Sequence, residues 1–242
     1  MSDSPPPPRS GTIKGVLFDK DGTLIDYHLT WGPINQAAAE LAGSGDPALT
    51  HKLLDIGGMD ASTGITRPDS LLAAGNTREI AEAWVGAGCA MDVMILTEAL
   101  DRLFVTAADR AIPVTDLGRL FRRLKELGLF LGIASSDSEA AIRRLVDRFA
   151  LGSLVDFIAG YDSGVGTKPE PGMLIAFCRA VAICPAQAAV IGDNRHDMNM
   201  AAAGGAGLRI AVLTGTGTLE TLRPLSDFCL PSIAMVDRVL RP

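Results

Sequence analysis

No uninterrupted apolar segment in this 242-residue chain is long enough to span a bilayer, so no transmembrane helix is predicted. Positive charge is in deficit: 22 Lys and Arg stand against 28 Asp and Glu, a formal net charge of −6. Non-specific nucleic-acid binding rests on neutralising phosphates, and anionic membrane surfaces attract cations, so neither partner is expected. The four cysteines, Cys89, Cys178, Cys184 and Cys229, form no C-x-x-C pair and no metal-ligand spacing. They read as small core residues, and a Cys178–Cys184 disulfide is not expected in a reducing context. Ser4 to Ser10, with four consecutive prolines, lacks the apolar stretch of a secretory signal. Residues 1–11 are therefore expected to form a mobile Pro-rich tail, and cytoplasmic location follows by default. No internal repeat is visible.

The chain does have enough apolar material for a full core. Hydrophobic residues make up 48% and charged residues 21%, a globular composition for one elaborated domain or two. Strand and helix patterns alternate along most of it. Ile13 to Phe18 is an apolar run read as the first strand. Leu117 to Leu127 is an amphipathic helix opened by Thr115-Asp116 and stopped by Gly128. Leu129 to Ala134 is a buried strand, after which Ser136 or Asp137 is expected to cap a helix carrying Ile142, Leu145, Val146 and Phe149. Strands follow at Val155–Ala159, Ala188–Ile191, Leu208–Leu213 and Phe228–Leu230. Helices are expected from Pro171 to Ala182, from Arg195 to the Gly204-Gly205 stop, and at the chain end. Such alternation predicts an α/β fold with right-handed crossovers and a doubly wound parallel sheet. One long stretch breaks the pattern. Between Trp31 and Thr106, Ala-rich segments at Gln36–Ala42, Arg78–Val85 and Met91–Phe104 have helical spacing, separated by Gly- and Pro-rich turns.

In a doubly wound sheet, ligands bind beyond the carboxyl ends of the strands, so polar clusters there carry the chemistry. The first strand ends in Asp19-Lys20-Asp21-Gly22-Thr23. Alternate strand residues share a face, which would bring Asp19 and Asp21 together and point Lys20 the other way. Two neighbouring buried carboxylates are costly without a cation or a shared proton, and a hard divalent ion such as Mg²⁺ prefers oxygen ligands. A surface β-turn would use the same residue types. The second cluster is Ser135-Ser136, where a buried strand ends in hydroxyls suited to phosphoryl oxygens or to helix capping. The third is Gly164-Val165-Gly166-Thr167-Lys168-Pro169-Glu170-Pro171. Its prolines limit where the Lys168 ammonium goes, and an ammonium suits a phosphate or a crowded carboxylate. The fourth is Gly192-Asp193-Asn194-Arg195-His196-Asp197, a strand end followed by two carboxylates at i and i+4. Asp197 at a helix start also suits the helix dipole. His196 has no second His or Cys partner and is left out.

These four motifs, in this order and spacing, resemble the haloacid dehalogenase superfamily of phosphohydrolases over roughly Ile13–Asp26 and Pro113–Leu213. The helical stretch resembles the C1-type cap of the subfamily containing phosphoglycolate phosphatases. The resemblance implies a Rossmann-like core at residues 12–28 and 108–242 and a cap at 29–107. It implies Asp19 as nucleophile, Asp21 as general acid and base, and Mg²⁺ held by Asp19, the Asp21 backbone carbonyl and Asp193. Ser135 and Lys168 would hold phosphoryl oxygens, with Thr23 and Ser136 as further substrate contacts and Asp197 orienting Lys168 or a metal-bound water. Lys20 departs from the family's usual apolar residue.

The resemblance also ranks the reactions. Dehalogenases of the superfamily lack an acid at Asp21, and transport ATPases carry threonine there. A phosphonatase needs a cap lysine, and Lys52 is the only one. A sugar-phosphate mutase shares both aspartates, and a non-catalytic binding protein would have lost at least one motif. The expected partner is a small phosphorylated metabolite, phosphoglycolate first by resemblance, met by a monomer or homodimer. His28, Trp31, Arg67 and Arg78 are the cap residues available to an anionic tail.

Overall fold

The computed structural model describes residues 13–240, so the Pro-rich tail expected at 1–11 lies outside the described residues. Six strands form one parallel sheet: β1 (Gly15–Phe18), β2 (Phe130–Ala134), β3 (Phe157–Ala159), β4 (Ala188–Gly192), β5 (Leu208–Val212) and β6 (Phe228–Leu230). Their spatial order is β3-β2-β1-β4-β5-β6. β1 is central, pairing with β2 on one side and β4 on the other, with Phe18 level with Ile133 and Ile191. The order reverses at β1, so the loops after β1, β2 and β4 meet at the topological switch point.

Alternation along β1 divides the core. Val16 and Phe18 join one apolar cluster with Leu131, Ile133, Ile191 and Ile210. That cluster receives Leu120, Phe121 and Leu124 of α6 (Leu117–Glu126) and Ile142, Leu145 and Val146 of α7 (Glu139–Arg148). Leu17 points the other way, with Val190, into a cluster filled by Met173 and Phe177 of α8 (Gly172–Ala180) and Met200 and Ala201 of α9 (Arg195–Gly204). Helices therefore cover both faces, as the doubly wound reading requires.

Between β1 and α6 the chain runs through α1 (Tyr27–Gly43), α2 (Pro47–Gly57), α3 (Leu71–Ala74), α4 (Thr77–Gly86) and α5 (Val93–Arg110). These helices have an apolar core of their own around Trp31, Leu53, Leu54, Trp84, Leu96 and Leu100. The helices span Tyr27 to Arg110, a little wider than the expected 29–107. A short helix, α10 (Leu219–Leu222), precedes β6, and the expected final helix is a 3₁₀ turn at Ile233–Arg238.

Local differences have local causes. The side chain that caps α7 is that of Ser138, whose side chain accepts from Ala141 N, and not Ser136 or Asp137. Both are drawn into the cleft instead. α2 was not anticipated; Asp46 caps it by accepting from Ala48 N and Leu49 N. All four cysteines are free. Among the described residues, no helix is long and apolar enough to cross a membrane.

Candidate active site

Asp19 follows the last residue of β1, and its backbone N–H donates to Ile191 O at 2.8 Å, which fixes it to the β4 end. Asp193 follows Gly192 at the end of β4, and Lys168 reaches over from the loop before α8. The Lys168 ammonium lies 2.6 Å from Asp19 Oδ1 and 2.6 Å from Asp197 Oδ1, all three side chains buried. Asp197 sits in the first turn of α9, where its Oδ2 also accepts from Asn194 N at 3.1 Å. It thus serves both as a helix-start carboxylate and as an anchor for the lysine. Carboxylate oxygens of Asp19, Asp193 and Asp197 all lie within 4.8 Å of one another.

Glycines make room for this cluster. Gly22 has φ +79°, and a Cβ there or on Gly215 would overlap the Asp193 carboxylate. Asp193 Oδ2 accepts from Thr216 N at 2.9 Å. Lys168 takes one oxygen of Asp19 and Thr216 one oxygen of Asp193, leaving the second oxygen of each for a cation. An all-oxygen set of crowded, buried carboxylates fits a hard divalent ion.

The electrostatics reflect that crowding. Burial raises the Asp19 carboxyl to about 7 against the lowering pull of Lys168, and Asp197 and Asp21 push it further up. Burial also lifts Asp193 well above the usual carboxylate range, reinforced by Asp19 and Asp197. Burial works to lower the Lys168 ammonium, but Asp19 and Asp197 outweigh it and hold it above its ordinary range. Without a metal ion, the cluster holds protons at a pH where isolated carboxylates would have lost them.

Asp21 is gripped on a different side. The Trp31 indole N–H donates to Asp21 Oδ1 at 2.6 Å, so a residue of α1 touches the strand-end motif. Lys20 Nζ lies 2.8 Å from Asp21 Oδ2 and 2.9 Å from Asp137 Oδ2, and 5.3 Å from the Trp31 ring centroid. This corrects the expectation that Lys20 points away from Asp21. Alternation holds only while the backbone is extended, and β1 ends at Phe18. Beyond it the chain coils, with Leu24 N and Ile25 N both donating to Lys20 O.

Asp19, Asp21, Ser135, Ser136, Lys168, Asp193 and Asp197 all line one cleft. Ser135 is buried at the end of β2, and its Oγ accepts from Asp137 N at 3.1 Å. The Ser136 hydroxyl donates to Ala74 O at 3.3 Å, tying the β2 loop to the helical insertion. Thr23 does not join them. It is fully buried outside the cleft lining, and its Oγ1 has no hydrogen-bond partner among the described residues.

Of the insertion residues considered for an anionic tail, only Trp31 lines the cleft. His28 is exposed, Arg67 pairs with Asp55 and Arg78 with Glu82. No role at the site follows from the sequence for Lys20, read as pointing away from the aspartates, for Asp137, read as a helix-cap candidate, or for His196, left out for want of a partner. A lysine inside a buried strand-end motif demands a buried counter-charge, which was a usable signal for Asp137. His196 lines the cleft, and its Nδ1 is buried without a partner among the described residues.

A family model of haloacid dehalogenase-like hydrolases matches residues 13–205. A phosphoglycolate phosphatase of Pseudomonas putida is 26% identical over 208 residues, covering 78% of this chain and 66% of the relative. The phosphoglycolate phosphatase of Escherichia coli K12 is 24% identical over 208 residues, covering 80% of this chain and 79% of its own length. Among solved structures, CbbY from Rhodobacter sphaeroides in complex with phosphate superposes with a TM-score of 0.70 at 19% identity, covering 93% of this chain and 96% of that one.

Proposed function

The chain belongs to the haloacid dehalogenase-like hydrolases, and on that premise we propose that it is a Mg²⁺-dependent phosphatase working through an aspartyl-phosphate on Asp19. One observation carries the reading: a buried carboxylate at the end of the central strand, bonded at 2.6 Å to Lys168 and crowded by two further carboxylates. Such a carboxylate is an oxygen nucleophile held in place, with a cation beside it to receive a phosphoryl oxygen.

Asp19, Asp193 and the Asp21 backbone carbonyl would hold the Mg²⁺. When bound, the ion neutralises the clustered carboxylates and the charge of the transferring phosphoryl group. Lys168 and the Ser135 hydroxyl bind phosphoryl oxygens, the Ser136 hydroxyl joins them by exchanging its bond to Ala74 O for one to phosphate, and Asp197 keeps Lys168 in place. A carboxylate oxygen of Asp19 bonds to phosphorus as the bond to the leaving oxygen breaks, and Asp21 delivers a proton to that oxygen. Asp21, now ionised, then takes a proton from water as the water oxygen attacks phosphorus. The Asp19–phosphorus bond breaks, releasing inorganic phosphate and restoring both aspartates.

The helical insertion serves as a cap on residues 29–107, with the core at 12–28 and 108–242. Its support is that Trp31, Leu72 and Phe104 of the insertion line the same cleft as the strand-end carboxylates. The names of the relatives make phosphoglycolate the reference substrate to assay. Hydrolysis of p-nitrophenyl phosphate tests the reaction itself. EDTA should abolish it and added Mg²⁺ restore it; undiminished turnover without a divalent ion would overturn the proposal.

A further inference from the structure

The cleft wall facing the phosphoryl-binding loops belongs to the helical insertion. Trp31, Tyr27 and Asn35 of α1, Leu72 and Ala73 of α3, Thr77 and Ile80 of α4 and Phe104 of α5 contribute to it. Every one is uncharged. The insertion does carry cations, but they are committed elsewhere. Arg67 pairs with Asp55 at 3.4 Å, Arg78 with Glu82 at 3.0 Å and Arg102 with Glu98 at 3.8 Å, all on exposed surface. The Lys52 ammonium donates to Ala87 O at 2.8 Å.

On the sheet side, the cations are equally occupied. Lys168 is bonded to Asp19 and Asp197, and Lys20 lies between Asp21 and Asp137. A leaving group bearing a carboxylate would sit against this uncharged wall, near Asp21 and Asp137, with neutral donors but no unpaired lysine or arginine among the described residues to meet it. Removing an ionised carboxylate from water without a partner is strongly unfavourable, and like charges nearby add to the cost. The polar need in the cleft is of another kind. His196 Nδ1 is buried there without a partner among the described residues, and a neutral hydroxyl answers it by donating or accepting.

We infer that the substrate is the phosphate monoester of an uncharged, hydroxylated alcohol, a polyol or sugar phosphate, and not a phosphorylated carboxylic acid. This rests on the phosphatase reading above and narrows its substrate class away from the reference compound. The leaving alcohol packs its carbon skeleton on Leu72, Ile80 and Phe104 and offers a hydroxyl to His196.

Glycerol 3-phosphate and 3-phosphoglycerate share a three-carbon skeleton and differ by a hydroxymethyl group against a carboxylate, which makes them the test pair. With Mg²⁺ present, kcat/KM should be at least about tenfold higher for glycerol 3-phosphate, as expected when a charge loses its solvation without gaining a partner. Equal or better use of 3-phosphoglycerate by the wild-type enzyme overturns the inference. Ala73→Arg places a cation on the wall and should shrink or reverse the ratio. If that variant still cleaves p-nitrophenyl phosphate and the ratio is unmoved, the leaving group does not sit on this wall and the inference fails. His196→Phe should slow glycerol 3-phosphate more than propyl phosphate, and equal losses would overturn the contact between His196 and a hydroxyl of the leaving alcohol. The Kd values of both test esters for the Asp19→Asn protein supply a reading independent of turnover. Absence of all hydrolysis, p-nitrophenyl phosphate included, refutes the phosphatase reading, while the same tenfold preference in Kd still supports the substrate class.

Discussion

Replacing Lys20 by Met should be among the most damaging single changes outside the reacting groups themselves. The Lys20 side chain is 2% exposed, and its ammonium joins Asp21 and Asp137, at 17% and 4%. Met fills a similar volume, so the change is chiefly the loss of charge. Asp21 retains the Trp31 indole and some contact with solvent. Among the described residues, the Asp137 carboxylate retains the Ser138 N–H at 2.8 Å and no other hydrogen-bond donor. Breaking a buried pair by removing one partner costs about 3–5 kcal/mol, because the other charge is left uncompensated. For a chain of this size that corresponds to a fall in Tm of roughly 6–20 °C. Adding Asp137→Asn should restore most of the loss, since the stranded charge disappears with it. The sign of the pH dependence follows from Asp137. Burial already raises its carboxyl against the lowering effect of Lys20, and without Lys20 it rises further. A carboxyl raised in the folded state contributes stability in its neutral form, lost as pH climbs toward the raised value. The Lys20→Met deficit should therefore be smaller at pH 5 than at pH 8. Urea denaturation of wild type and the single and double variants at both pH values reads all of this. A single variant within about 1 kcal/mol of wild type, or a double variant no better than the single, would refute the buried-pair reasoning.

Other outcomes follow from the same geometry. Asp19→Asn should abolish turnover while leaving the metal-free Tm unchanged or slightly higher, since one of three crowded carboxylates becomes neutral. Beryllofluoride should raise the Tm of the wild type and not of this variant, and retained turnover would exclude Asp19 as nucleophile. Asp19, raised to about 7, stabilises the metal-free fold in its neutral form below its ordinary value of 3.8, and that contribution is lost as pH rises through about 7. The Tm increase produced by Mg²⁺ should accordingly be larger at pH 8 than at pH 5.5, and a pH-independent increase would place the ion elsewhere. Asp21→Ala should slow alkyl phosphates by roughly 10²–10⁴ and aryl phosphates less, because aryl leaving groups need little protonation. Single-turnover kinetics separates the two, and equal losses would count against Asp21 as the acid.

The sequence by itself determined the frame and the chemistry-bearing positions. The parallel sheet was legible because short apolar runs alternated with amphipathic helices. Asp19, Ser135 and Asp193 were legible because each follows directly where such a run stops, a local property. The loop lysine was legible from its flanking prolines, and the helical insertion from its change of periodicity. What depended on contacts distant in sequence was not. The Lys20–Asp137 pair joins residues 117 apart. No local period encodes it, and the strand alternation that placed Lys20 on the far side lapses once the backbone coils after Phe18. Thr23 shares the first motif with Asp19 and Asp21, yet the same coil turns it into the core. Arg67 and Arg78 have the charge for an anionic substrate, but only packing decided that they face solvent and acidic neighbours. The reach of Trp31 to Asp21, and the neutral wall beside it, arise from docking one folded unit on another. Motif spacing sets which side chains converge at the strand ends, whereas the docking of the insertion sets what lines the rest of the cleft.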